Sequence, residues 1–372
     1  LFAQRIDVGF RVLGGFAVAA ITGAIAIAVA LSPAASLAKD FKPSRLDKVR
    51  SEILKFQKID QRLQDVGWRL VRGNAPFCER VIPSIGLQLQ DMASYGQPEL
   101  VQAALDLGGP FAVQTAALGS PAARSGAFER NRRITAMDAV NPALWGVVKA
   151  GSWQRLLRAH DWIDETLATK GSVTFAFGDG SRHAVKPVPV CATRFEVLSR
   201  SRRAVSEGKR VIIGEDFPAF DWAEDGEFAG VVAHELAHNL LGHRNWLDRN
   251  ERKRRNVRLT EREADRLMPW LLANAGYDPA DAARFMRRWG KKYDGGLLRA
   301  RTHDGWDERV EFIEAELPQI TRLMEQEGRA DWSVHFRREI DPNRGLRKGS
   351  GTSLSERLDS DVKTSLGGPQ PN

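Results

Sequence analysis

The sequence has little cysteine and no cysteine motif. Only two cysteines occur among 372 residues, Cys78 and Cys191, and no C-x-x-C pair is present. This excludes cysteine-rich zinc modules and the thioredoxin-type redox motif. The alternatives that remain are two independent buried thiols, as in a cytosolic protein, and one disulfide, as in an exported protein.

The sequence also lacks a nucleic-acid-binding module. The net charge is +8, but the basic residues are spread along the chain. Zinc-finger spacing and basic stripes interleaved with aromatic residues are absent from the sequence, so we expect no nucleic-acid partner. The hydrophobic content of 42% and charged content of 27% instead indicate an ordinary globular protein.

One long segment lacks charge altogether. Residues 12–38 follow Arg11 and contain no acidic or basic side chain. Basic residues precede this segment and small residues end it, so a secretory signal peptide is predicted. Its length also suits an uncleaved helix that spans a bilayer, and both interpretations stay open. The basic stretch from Lys39 to Arg50 would favour the cytoplasmic side, although the positive-inside rule weakens for large translocated domains.

Beyond this segment, the pattern predicts a long helix and then a β-rich module. Apolar residues at spacings of three and four predict one amphipathic helix over residues 44–72. Residues 110–140 are predicted to form a strand, a short helix and a second strand. A helix over residues 152–170 and a hairpin of two alternating strands over residues 172–190 are predicted to follow.

Part of this module resembles the PDZ domains of bacterial proteases. The resemblance is carried by GSPAARSG at residues 119–126 and RITAMDA at residues 133–139, although ERNRRI replaces the usual glycine-aspartate turn. It implies a PDZ-like domain over residues 85–190 that either aids substrate recognition or is a structural insert. Because Cys78 and Cys191 flank this module and domain termini are often close in space, we predict a disulfide between them and an oxidising compartment.

The motif with the clearest chemistry is HELAH, which places His234, Glu235 and His238 in an H-E-x-x-H pattern. Residues four apart share one face of a helix, so both imidazoles can bind one metal ion. Bound zinc lowers the pKa of a water molecule, and Glu235 would take its proton as a general base. The alternative is a buried helix whose histidines bond to carbonyl groups. His243 would lie about 140° further around an ideal helix than His238, so it should face away and be structural.

A third protein ligand is required, and a second helix is predicted over residues 259–272. There, EREAD places Glu261 and Asp265 four residues apart on one face. With HELAH, this segment resembles the HtpX-like and BepA-like gluzincin zinc peptidases of metallopeptidase family forty-eight. The resemblance implies that Glu261 is the third zinc ligand and that Asp265 holds a histidine in position. Glu263 is a rival ligand, but it also fits a capping box with Thr260.

Two further segments match the same family. NAGYDPADAARFM at residues 274–286 resembles its next turn and helix, and RTHDGWDERVEFI at residues 301–313 resembles its THP....R segment, with Asp304 in place of the proline. By this resemblance His303 lies near the active site as an oxyanion stabiliser or gate. The alternative for His303 is an exposed loop histidine.

These patterns predict an α+β protein: a mainly helical gluzincin metallopeptidase domain with an inserted PDZ-like β-rich domain. The predicted parts are a signal peptide or membrane anchor (1–38), an N-terminal helical part of the peptidase domain (39–84), the PDZ-like domain (85–190), the zinc metallopeptidase domain (191–340) and a disordered tail (341–372).

The predicted function is that of a zinc-dependent metalloendopeptidase, with one Zn²⁺ per chain, that cleaves proteins or peptides in the periplasm or cell envelope. Association with the inner membrane is expected if the N-terminal apolar segment is retained. The alternative is a catalytically inactive, chaperone-like peptide-binding protein with a structural zinc site.

Overall fold

The computed structural model describes Ala38, residues 40–293 and residues 304–345. The predicted signal peptide or anchor, His303 and residues 346–372 of the predicted tail lie outside the described residues, apart from Ala38. The described chain mixes helices and sheets, which confirms the α+β class. Within these residues, no helix is long and apolar enough to cross a membrane.

All ten described strands precede Phe217 in the sequence, and most of the described helices follow it. The described helices are α1 (Pro43–Gly73), α2 (Pro98–Ala104), α3 (Pro121–Arg124), α4 (Gln154–Lys170), α5 (Asp225–Leu240), α6 (His243–Asn250), α7 (Arg254–Asn274), α8 (Asp281–Tyr293), α9 (Trp306–Glu327) and α10 (Trp332–His335). The described strands are β1 (Val81–Ser84), β2 (Leu87–Asp91), β3 (Phe111–Ala116), β4 (Ile134–Met137), β5 (Val173–Phe177), β6 (Arg182–Val185), β7 (Val188–Cys191), β8 (Arg194–Leu198), β9 (Ala204–Ser206) and β10 (Arg210–Gly214).

Helix α1 confirms the helix predicted over residues 44–72 and connects two cores. Pro43 begins it, which suits a position where no backbone N–H is needed. In its first half, Val49 and Ile53 are buried in a small core with α2. In its second half, Leu63 and Leu70 belong to the large core formed with the C-terminal helices. The helix therefore contacts both the β-rich and the helical parts of the chain.

The β-rich part has its own core and the order of elements that the sequence predicts. Strands β2 and β3 pair antiparallel, and β4, β5 and β6 form a second antiparallel sheet. The predicted strand, short helix and strand over residues 110–140 are β3, α3 and β4. Phe111 and Phe175 from the two sheets are buried with Ile163 and Leu167 of α4. The apolar alternation of the strands thus covers one face of α4.

The two ends of this part are held together. Strand β1 pairs antiparallel with β7, and Val81 lies opposite Cys191. Cys78 and Cys191 form a disulfide with a Cα–Cα distance of 5.6 Å, and they are 113 residues apart in the sequence. The disulfide therefore closes a covalent loop that contains the whole β-rich module.

We expect this disulfide to stabilise the fold substantially. Replacing both Cys78 and Cys191 by serine should lower the free energy of unfolding by about 2–4 kcal/mol, because a long loop is no longer closed in the unfolded chain. Urea unfolding of the oxidised protein measures the change. Reductant should destabilise the wild type and leave the double variant unaffected; an unchanged midpoint in the double variant would contradict the expectation.

One side of the β-rich module is closed by the rest of the chain. Two small cavities, of about 70 and 80 Å³, lie between β2 and α4 on one side and α1 and β8 on the other. His160 of α4 accepts a hydrogen bond from the backbone N–H of Leu89 on β2, at 3.3 Å. Phe56 of α1 and Phe195 of β8 close the opposite wall. In this arrangement an extended peptide has no room to pair with β2.

The helical part begins with a three-stranded sheet. Strand β10 is central, parallel to β8 and antiparallel to β9, so β9 is an edge strand. Helices α5, α7, α8 and α9 then pack on one another and on α1 to form the large core. This packing places α5 beside α7 and next to the edge strand β9.

Candidate metal centre

The HELAH motif lies on α5, and the EREAD motif lies on the neighbouring helix α7. Small and aliphatic side chains allow the two helices to pack closely, and the buried ones are Val231, Val232, Ala233, Leu236 and Ala237 of α5 and Ala264, Leu267 and Met268 of α7. His234 and His238 are one turn apart on α5, and both face Glu261 on α7. The helix pair therefore brings the three side chains together.

The separations within this group match those of a tetrahedral zinc site. His234 Nε2 lies 3.3 Å from His238 Nε2 and 3.3 Å from Glu261 Oε2, and His238 Nε2 lies 3.5 Å from Glu261 Oε1. With zinc–ligand bonds of about 2.0–2.1 Å, donor atoms around a tetrahedral zinc ion are about 3.3–3.4 Å apart. The three residues are thus close enough to bind one metal ion.

Asp265 lies behind His234, one helical turn after Glu261. Its Oδ1 is 3.1 Å from His234 Nδ1, an ion-pair separation at which the carboxylate favours a proton on Nδ1 and leaves Nε2, which faces Glu261 and His238, as the atom that would bind a metal ion. Asp265 is fully buried and accepts two hydrogen bonds from Arg309, at 2.6 and 2.8 Å. Arg309 and His234 outweigh the effect of burial and lower the pKa of Asp265, so this carboxylate is ionised.

The electrostatics of the group favour a cation. Burial alone would lower the pKa of His234, but Asp265 and Glu261 outweigh burial and raise this pKa to about 10. Burial lowers the pKa of His238 to about 3, so its imidazole is neutral. In the metal-free chain the positive charge of His234 therefore offsets part of the negative charge of Asp265 and Glu261. A divalent ion bound between His234, His238 and Glu261 would take the place of the proton on His234.

A second polar chain supports His238. His243 Nδ1 lies 2.9 Å from His238 Nδ1, and His243 Nε2 lies 3.1 Å from Glu263 Oε2. Since Glu263 can only accept, His243 donates from Nε2 and accepts at Nδ1. His238 must then carry its proton on Nδ1, which leaves its Nε2 lone pair for a metal ion. His238 is thus held in the tautomer that a metal ligand requires, and the Asp265 carboxylate beside His234 Nδ1 favours the same tautomer for His234 once a metal ion replaces the proton on Nε2.

The prediction that His243 faces away from His238 is wrong. It assumed that the helix continues, whereas α5 ends at Leu240 and the chain turns at Gly242, which has a left-handed φ of +66°. This backbone region suits glycine because it has no Cβ. The turn returns His243, the first residue of α6, to the ring of His238. His243 is not a member of the metal-ligand group.

The capping-box interpretation of Glu263 is also wrong. Helix α7 begins at Arg254, so Thr260 lies inside it and its hydroxyl donates to the carbonyl of Val257. Glu263 is fully buried on the far side of His243 from the metal group. It accepts hydrogen bonds from His243, from Arg338 and from two backbone N–H groups at residues 339 and 340. Glu263 therefore positions His243, which contacts His238, and is not a member of the ligand group.

Replacing His243 by glutamine is expected to weaken zinc binding by about 10- to 100-fold, because His238 loses the partner that fixes its tautomer. Competition with a fluorescent zinc chelator measures the affinity. His335, which lies on α10, offers a matched His→Gln control that should leave the affinity unchanged. Equal zinc affinity in His243→Gln and wild type would show that the contact with His243 does not support the site.

A cleft of about 1000 Å³ opens onto the metal group. Glu235 lines it together with His234, His238 and Glu261. Its other walls include apolar side chains, basic side chains and the edge strand β9; these residues include Val231, Phe285, Met286, Trp289, Arg202, Arg203, Arg244 and residues 204–206. The cleft is large enough for several residues of a peptide.

Asn239, next to His238, ties the edge strand to the metal-binding helix. Its Oδ1 accepts hydrogen bonds from Ser206 Oγ at 2.9 Å and from the backbone N–H of Gly208 at 2.6 Å. Neither Asn239 nor Arg338, which pairs with Glu263 at 2.8 Å, was predicted from the sequence. Both contacts join residues that are far apart in the sequence, so no local pattern reveals them.

Comparison with known proteins adds no family assignment: no family model, no curated protein and no solved structure matches the chain.

Proposed function

We propose that the chain is a zinc-dependent metalloendopeptidase with a gluzincin-like helical domain and a PDZ-like insert. The observation that carries the proposal is the group formed by His234, His238 and Glu261, whose donor atoms lie at tetrahedral separations beside the cleft that Glu235 lines. Two imidazoles and one carboxylate form a ligand set that zinc enzymes use for hydrolysis, because one coordination position stays open.

In this proposal the roles of the residues follow from their positions. His234, His238 and Glu261 would hold the ion, which would act as a Lewis acid and lower the pKa of a water molecule. The Glu235 carboxylate takes the proton from the attacking water and passes it to the nitrogen of the departing amine. The Asp265 carboxylate, 3.1 Å from His234 Nδ1, and the ring of His243, 2.9 Å from His238 Nδ1, would favour the tautomers in which both Nε2 atoms face the ion.

The edge strand β9 suits an extended peptide substrate. In its antiparallel pairing with β10, the N–H of residue 207 donates to the carbonyl of 210, and the N–H of 214 donates to the carbonyl of 203. By alternation, the backbone groups of Ala204 and Ser206 point away from β10. Among the described strands none pairs with this outer edge. A peptide in the cleft can therefore add as a further strand beside β9.

An extracytoplasmic location is part of the proposal. The Cys78–Cys191 disulfide supports an oxidising compartment, and the uncharged segment over residues 12–38 supports export. Proteins or peptides of the periplasm or cell envelope are then the proposed substrates. Because the β2 edge of the PDZ-like module is closed, we place peptide binding at β9 and give the module a supporting role.

The test is a digestion of unfolded casein followed by mass spectrometry of the products. We expect internal peptides with new amino termini, and we expect 1,10-phenanthroline to stop their formation. Products that form equally well in the presence of the chelator would contradict a zinc mechanism. Zinc-loaded protein that yields no internal peptides would favour a structural zinc site.

A further inference from the structure

Three arginines that line the cleft of the metal group form no ion pair with any of the described residues. Arg202 and Arg203 precede the edge strand β9, and Arg244 is the second residue of α6. All three are exposed. A guanidinium group without a carboxylate partner can bind an acidic group of a ligand through two parallel hydrogen bonds. We call these three residues the cleft arginines.

The other charged side chains that line the cleft are paired or belong to the catalytic group. The ion pairs are Arg309 with Asp265, Arg252 with Asp248, and Glu207 with Arg210. Glu235 and Glu261 are the remaining carboxylates of the cleft. Glu261 belongs to the metal group and Glu235 follows His234, so a bound zinc ion would bring two positive charges to this region. The carboxylates that line the cleft therefore do not neutralise the cleft arginines.

Two further acidic residues lie near the start of β9. The backbone N–H groups of Glu215 and Asp216 donate to carbonyls of the chain just before β9, at 2.8 and 2.9 Å. Neither residue lines the cleft, and neither forms an ion pair with a cleft arginine. Lys209, which is exposed in the turn after β9, adds a positive charge at the other end of the strand. An acidic ligand in the cleft would therefore meet the cleft arginines and not these two carboxylates.

The cleft arginines lie at the two ends of β9. Arg203 directly precedes β9, and its carbonyl accepts a hydrogen bond from the N–H of Gly214 at 2.7 Å, so the pairing with β10 continues to this residue. At the other end, Arg244 lies beside Gly208, because a Cβ on Gly208 would be 3.8 Å from Arg244 Cδ. The N–H of Gly208 is in turn held by Asn239. The two ends are separated by about five residues of extended chain, or about 15 Å.

Another wall of the cleft is apolar. Val231 of α5 and Phe285 and Met286 of α8 line it, and all three are buried. Trp289 lines it as well, and its ring stacks on Phe217 with the centroids 5.0 Å apart and an angle of 11° between the planes. An extended peptide beside β9 would therefore meet apolar side chains within the cleft and guanidinium groups at both ends of the strand.

We propose that the cleft selects peptides with acidic side chains at two positions about five residues apart, one at each end of the segment that pairs with β9. Arg202 or Arg203 binds one carboxylate, and Arg244 binds the other. Apolar residues of the peptide lie between these two positions. This selection rests on the proposed function for the cleavage that follows binding, whereas the binding itself requires only the cleft.

The test measures peptide binding by fluorescence anisotropy on the full-length Glu235→Gln variant, so that bound peptide stays intact. Two peptides share the same apolar residues and a neutral dye, and they carry either glutamate or glutamine at both outer positions. At low salt the glutamate peptide should bind about fivefold or more tightly, and salt should reduce this difference because it screens exposed charges. The preference should hold with and without zinc, since the cleft arginines are not members of the metal-ligand group.

Replacing all three cleft arginines by glutamine should remove the preference, so that the two affinities agree within about twofold. The control replaces Arg322, Arg329 and Arg337 by glutamine; these arginines are exposed, do not line the cleft and change the net charge by the same amount. The control should keep the preference, and both variants should bind the glutamine peptide equally well, which shows that the cleft is intact. Equal affinity for the two peptides before any arginine is replaced, or an equal effect of the two triple replacements, overturns the proposal.

Cleavage of the same peptides by the wild type separates this inference from the proposed function. We expect kcat/KM to be about fivefold or more higher for the glutamate peptide. Preferential binding without cleavage would support the selection and contradict the peptidase. Cleavage of both peptides with equal kcat/KM would support the peptidase and overturn the selection.

Discussion

Replacing Glu235 by glutamine is expected to abolish peptide cleavage and to leave zinc bound. Glutamine keeps the size of the side chain but cannot take a proton from water at neutral pH, so the turnover rate should fall by about 10²- to 10⁴-fold. Glu235 is not one of the three grouped ligand residues, so zinc content should stay the same. The measurements are initial rates on a fluorogenic peptide and metal analysis of the same preparation.

Glu224 is the matched control for this variant. It is the residue that precedes α5, is exposed and pairs with Arg288 at 3.1 Å. Since an exposed ion pair contributes little to stability, Glu224→Gln should keep the wild-type rate within about twofold. Wild-type activity in Glu235→Gln would remove the general base from the mechanism. Loss of zinc in Glu235→Gln would instead mean that this carboxylate helps to hold the ion.

The second large effect distinguishes the roles of Glu261 and Glu263, which are two residues apart on α7. Glu261→Gln should lose zinc, with an affinity loss greater than the roughly 10- to 100-fold expected when only a supporting residue is changed. Glu263→Gln should instead destabilise the fold by about 3 kcal/mol, because a neutral amide replaces a fully buried carboxylate that accepts four hydrogen bonds.

Zinc titration and urea unfolding of both variants, carried out on the metal-free proteins, provide the comparison. The expected pattern is crossed: Glu261→Gln is stable and binds little zinc, and Glu263→Gln is unstable and still binds zinc more tightly than Glu261→Gln. The opposite pattern would mean that Glu263 is the ligand. Each variant serves as the control for the other, since both lie on the same helix and carry the same change.

Helical periodicity predicted the part of the site that depends on one element alone. His234 and His238 share a face because they are four residues apart on a regular helix, and this holds in any environment. The prediction that Glu261 joins these two histidines depends on which helix packs against α5. Helical periodicity does not give that partner helix, and the prediction rested on the resemblance to gluzincins alone. The structure brings the three residues together through packing between α5 and α7.

The support behind the ligands could not be predicted from local patterns. The position of His243 depends on a single left-handed residue, Gly242, which ends α5 and changes the direction of the chain. Arg338 is 75 residues away from its partner Glu263, so the contact exists only in the folded chain. The β2 edge is closed by α1 and β8, which lie outside the β-rich module. This contact therefore could not be predicted from local patterns either.

The predicted start of α7 differs from the observed start for a related reason. The second helix is predicted to begin at residue 259, but α7 begins at Arg254, inside the charged run of residues 249–258. Asn256 in this first turn bonds to the carbonyls of Asn250 and Glu251, at 2.6 and 3.0 Å, and so fixes the turn between α6 and α7. Arginine and lysine favour helices, so the charged run extends the helix without an apolar pattern.

We propose that one zinc ion, held by His234, His238 and Glu261, enables the chain to hydrolyse peptide bonds. The most direct measurement titrates zinc into chelator-stripped protein while zinc binding and casein cleavage are followed in the same sample. Both signals should rise together and level off at about one zinc per chain. Cleavage by the stripped protein, or full zinc binding without cleavage, would contradict it.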